Sequence, residues 1–83
     1  MEELIEQSVI KECFKLFPKA VSEVEAVDLA AQSLYTDIRN SFNMINTFEG
    51  QLKVSRYLYL KDLRTYLYNK HINEISGFHI GRN

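Results

Sequence analysis

Apolar positions recur at steps of three and four along most of the chain, and they group into three stretches separated by the few residues that interrupt a helix. In the first stretch, residues 2–17, Ile10, Cys13, Phe14 and Phe17 share one face, with Val9 and Leu16 at its edge. Glu2, Glu3, Lys11, Glu12 and Lys15 occupy the other face, and Pro18 ends the pattern because it has no amide proton and its ring clashes with the preceding turn. The second stretch opens at Ser22, whose hydroxyl can accept from a free amide of the first turn while Glu25 reaches back in a capping box. From there Val27, Ala31, Leu34, Ile38, Ser41, Ile45 and Phe48 step by four and three, a heptad seam with one polar member. Gly50 is the expected stop. Val24, Tyr35 and Phe42 widen the stripe to about 140 degrees, which suits a helix touching more than one neighbour. Asp28, Asp37 and Arg39 fall outside the stripe, and Glu23, Glu25 and Asp28 sit in early turns where the helix dipole favours acids.

The third stretch, residues 51–76, carries a main stripe of Leu52, Tyr59, Leu60, Leu63, Tyr66 and Leu67. A thinner row, Val54, Leu58 and Ile72, lies opposite, and Lys53, Tyr57, Lys61, Arg64 and Tyr68 cluster between the two. Arg56 projects toward the main stripe and is expected to pair with an acid of the first two helices. Gly77 is the expected end, with Phe78 folding back on Ile72 as in a Schellman cap. The pattern predicts an all-α single domain over residues 1–83: a small bundle in which a shorter N-terminal helix packs on a long antiparallel helical hairpin joined at residues 48–52. An alternative is α+β, because residues 52–60 also alternate with period two and are rich in strand-favouring types. Such a strand would need a partner from a second copy.

Length sharpens this expectation. A chain of 83 residues buries only about 60% of the surface its unfolded state exposes, so self-association would add core. Its 46% hydrophobic and 25% charged content, with five tyrosines and five phenylalanines, describes a chain that folds. A single cysteine cannot form an intramolecular disulfide, no apolar run approaches the ~18 residues of a membrane span, and the acidic start MEELIEQ has the wrong sign for a leader. A cytoplasmic protein is the expectation.

Candidate chemistry is sparse. The chain holds no phosphate-binding glycine loop, nucleophile elbow or zinc-protease motif. Cys13 lies between Ile10, Phe14 and Phe17 and reads as a small buried hydrophobe. His71 and His79, with Glu74, are too few for a metal centre, and no carboxylate pair sits in an apolar context. The expectation is therefore a non-enzyme with no cofactor and no metal.

Charge, by contrast, is segregated. Residues 1–50 hold nine acids and four bases, whereas residues 51–83 hold six bases and two acids. In the basic half the tyrosines interleave with the cations, a combination that gives contact area at low entropic cost together with electrostatic steering. Lys53, Tyr57, Leu58, Lys61, Arg64 and Tyr68 are the expected partner-binding residues, with Leu58 as the apolar anchor. A protein partner is the first reading, with the chain acting as an adaptor, regulator or inhibitor and self-associating as a dimer. A nucleic-acid partner is the second, with the cations on phosphates and Tyr57 or Tyr68 stacking on bases.

Overall fold

In the computed structural model the backbone is described for residues 2–80 and the side chains for residues 5–72. Three α-helices follow one another, α1 (Glu2–Leu16), α2 (Glu23–Asn40) and α3 (Phe48–Ile80), with a short 3-10 turn (Phe42–Met44) between α2 and α3. The fold is all-α, and residues 52–60 lie wholly within α3, so the strand alternative is not observed. Their period-two pattern belongs to a helix that has apolar residues on more than one side. At ~1.5 Å per residue the 33 residues of α3 span about 50 Å, which accounts for the 51 Å long axis of the molecule. The 18 residues of α2 reach only part of the way along it.

The break between α1 and α2 follows from local hydrogen bonding. The Glu25 amide donates to Ser22 Oγ at 3.1 Å, and Glu25 Oε1 accepts from the Val21 amide at 2.7 Å, so the capping box closes one residue before the cap. α1 ends at Leu16, and the Phe17 amide still donates to the Cys13 carbonyl at 2.9 Å before Pro18 breaks the ladder.

The second helix is shorter than its seam predicts. It stops at Asn40 rather than at Gly50, because the polar member of the seam competes for the backbone: Ser41 Oγ donates to the Asp37 carbonyl at 2.8 Å, and the Ser41 amide is shared between the Asp37 and Ile38 carbonyls. Thr47 then starts α3. Its hydroxyl donates to the Met44 carbonyl and accepts from the Gly50 amide at 3.0 Å. Gly50 consequently lies in the first turn of α3 and terminates nothing. A Cβ there would lie 2.8 Å from Ile45 Cα and closer still to the Met44 carbonyl oxygen, so the turn folds back against a position that admits only glycine. At the other end α3 runs on to Ile80 instead of closing at Gly77, and the expected contact of Phe78 with Ile72 lies outside the described residues.

The core is small and drawn from all three helices. Ile10 and Cys13 of α1, Ala26, Val27, Ala30 and Ala31 of α2, and Leu60, Leu63 and Leu67 of α3 are buried, with Phe14, Phe17, Val24 and Leu34 packed around them. Three alanines let α2 approach both neighbours closely. Ala26 and Ala30 stand beside the predicted seam rather than on it, and they widen its buried face. Beyond Leu34 the seam loses its cover, and Phe48 at its end is 78% exposed.

Candidate interaction surface

α3 presents two different flanks. On the flank toward α2, Lys53 Nζ lies 2.9 Å from Asp37 Oδ2 and Arg64 Nε lies 3.5 Å from Asp28 Oδ1, the order of pairing that two antiparallel helices give. Gln32 Nε2 donates to the other oxygen of Asp28 at 2.8 Å. Between these pairs the rings of Tyr35 and Tyr57 meet with centroids 5.5 Å apart and planes tilted by 36°. The Arg39 guanidinium stands over Tyr35 at 5.9 Å, and the Lys61 ammonium over Tyr57 at 6.0 Å.

The flank toward α1 is apolar and incompletely covered. One ion pair bridges it, Arg56 Nη2 to Glu12 Oε1 at 2.8 Å, as the sequence led one to expect of Arg56. Around that bridge Ile5, Leu52 and Tyr59 keep between 38% and 53% of their surface exposed, and Tyr66, two turns further along α3, is also half exposed. A shallow groove of about 430 Å³ opens between the helices, with Cys13, Ala30, Leu34 and Leu60 among its lining and the Glu12–Arg56 and Asp37–Lys53 pairs at its rim. Burial pushes the Cys13 thiol above its ordinary value, more than the Arg56 guanidinium pulls it down, so at neutral pH it is a protonated hydrophobe and not a nucleophile. Burial likewise raises the Tyr59 phenol, with Glu6 adding to the effect.

The residues expected to bind a partner divide between two environments. Lys53 and Arg64 are each paired with an acid of α2, Tyr57 is half-buried against the core beside Tyr35, and Lys61 stands over Tyr57. Leu58 and Tyr68 are open, at 56% and 51% exposure. Tyr57 thus has a packing role that the helical wheel of α3 alone did not reveal. The sequence reading also passed over the contribution of α2, since Tyr35 and Arg39 join the same surface. Their spacing of four was visible, but only the antiparallel register brings them opposite Tyr57 and Lys61.

Among the described residues no three metal-ligating side chains gather, and no helix is long and apolar enough to cross a membrane. Comparison with known protein-family models, curated proteins and solved structures finds no match.

Proposed function

We propose that the protein is a non-enzymatic adaptor, regulator or inhibitor that works by binding another protein through α3, and that it self-associates. The observation that carries this reading is Leu58, an isolated leucine 56% exposed in the middle of α3 and flanked by Tyr57 and Lys61, the setting of an interfacial anchor. Self-association is supported by the exposed apolar side chains at the hairpin end, Phe42, Met44, Phe48 and Leu52, which a second copy would cover. A protein partner is favoured over nucleic acid because Asp37 and Asp28 neutralise Lys53 and Arg64, removing two of the cations that phosphates would need.

Affinity capture from the native host, followed by binding measurements on the captured partner, tests the reading. Leu58→Ala and Lys61→Glu are expected each to weaken binding at least about tenfold without changing the helical circular dichroism. Full retention of binding by both variants overturns it, and loss of affinity with a steep dependence on log salt assigns the surface to nucleic acid instead. Light scattering should give a mass above the 9.7 kDa monomer.

A further inference from the structure

Along the seam of α2 and α3 the structure builds a ridge in which Arg39, Tyr35, Tyr57 and Lys61 stand in contact order, ring against ring and a cation over each ring. Of the other described cations of α3, Lys53, Arg56 and Arg64 each have a carboxylate partner, and Lys70, further along the helix, has none within 4.0 Å among the described residues. Among the described residues Arg39 and Lys61 have no carboxylate oxygen within 4.0 Å. Asp37, the acid nearest Arg39 in sequence, is engaged by Lys53, and Asp28 by Arg64 and Gln32, while Asp62, next to Lys61 in sequence, makes no ion pair with it. The ridge therefore presents two cations without a direct carboxylate partner, while Lys53 and Arg64 on the flanking seam are paired.

We infer that this ridge is the docking site for an acidic segment of a protein partner, whose carboxylates bind Arg39 and Lys61 while an apolar or aromatic side chain packs on Tyr35. The inference rests on the reading that α3 carries a protein contact, and it adds both the chemistry of the partner and the participation of α2. Two features select this occupant. Each cation sits at the outer edge of the ~6 Å reach of a cation–π contact, held over a ring yet free to turn its N–H groups toward an incoming carboxylate, so part of the ordering cost of binding is met in advance. Tyr35 is 47% exposed and borders a hollow of about 250 Å³ lined by Lys61 and Thr36 and by Asp28, whose carboxylate is taken up by Arg64 and Gln32, so the Thr36 hydroxyl and the Gln32 carbonyl oxygen are the groups left to hydrogen-bond a peptide backbone.

The chain contains no tryptophan, so a tryptophan in a probe reports binding without background. The probe is a synthetic peptide of glutamates flanking one tryptophan, compared with its all-glutamine counterpart and with oligo-thymidylate, and mapped by amide shifts on the isotope-labelled full chain. The glutamate peptide should bind, the glutamine peptide at least about tenfold more weakly, and Arg39→Gln with Lys61→Gln should lose the difference while helicity is unchanged. Tyr35→Leu, which keeps an apolar side chain but removes the ring, should weaken binding and leave the charge preference. No binding of the glutamate peptide, equal binding of the two peptides, or tighter binding of oligo-thymidylate overturns the inference. If shifts gather at Leu58 and Tyr68 while Tyr35 and Arg39 stay silent, the ridge is excluded and the broader reading of α3 survives. Binding that leaves all of α3 silent removes both.

Discussion

The two flanks of α3 hold their neighbours by different means. Toward α2 the contact is polar at its edge, with two ion pairs and a ring stack closing over a buried row of leucines and alanines. Toward α1 there is one ion pair, and the leucine and tyrosines beside it remain open. The difference teaches that polar groups along a seam do little to hold it but much to cover it: Lys53 and Arg64 shield the α2 seam with their stems, while nothing shields Leu52.

The sharpest way to break this comparison is to set the shared core against the open flank. Leu63→Ala, at a site 4% exposed, should cost about 2–5 kcal/mol, a large part of the stability of so small a domain. Tyr66→Ala, three residues on and half exposed, should cost less than about 1 kcal/mol. Urea melts giving equal losses for the two would show that the α1 flank is as well packed as the core.

A second effect, intermediate in size, tests whether the groove over Cys13 is dry. Desolvation favours the protonated thiol in the folded chain, so its contribution is intact below the ordinary thiol value of 9.0 and is lost as pH rises past it. Stability should therefore decline on the alkaline side, and Cys13→Ala should flatten that decline. Parallel alkaline slopes for the two proteins would mean that water already reaches the sulfur.

The smallest effect belongs to the ion pairs. Lys53→Gln should lower stability by no more than about 1 kcal/mol, since both partners are substantially exposed, and the loss should shrink further in high salt. A larger, salt-independent loss would make charge the fastener of the hairpin and reverse the contrast between the flanks.

Much of this architecture was legible in the sequence. Pro18, Ser22 and Glu25 marked real boundaries, because each acts through bonds to its immediate neighbours. Val27 and Ala31 at the head of the seam, and Leu60, Leu63 and Leu67 on α3, are core, since their spacing alone places them on a common face. What the pattern misjudged was length. The heptad steps continue through Ser41 and Ile45 although the helix does not, because one serine back-bonding to Asp37 outweighs the apolar rhythm. Gly50 misled for the opposite reason: a glycine can signal a left-handed cap or a close approach, and a sequence does not distinguish them. At the surface the cations and rings were visible, but whether each was free or engaged depended on Asp28, Tyr35, Asp37 and Arg39, contributed by another helix in a register only the folded chain sets.

The tight connection between α2 and α3 also has a bearing on time. Its ends are tied by bonds between residues three to six apart, Thr47 to Met44 and Gly50, and Gln51 to Ile45, so the two helices can pair without first closing a long loop. α1 meets α2 across the short link of residues 17–22, whereas Glu12 and Arg56 stand 44 residues apart and can meet only once both neighbouring helix pairs have formed. Folding should accordingly be fast, on the order of microseconds to milliseconds, with the local α1–α2 and α2–α3 contacts formed early and the Glu12–Arg56 bridge late. Stopped-flow refolding in which the α1–α3 contact appears before either local helix pair would contradict this order.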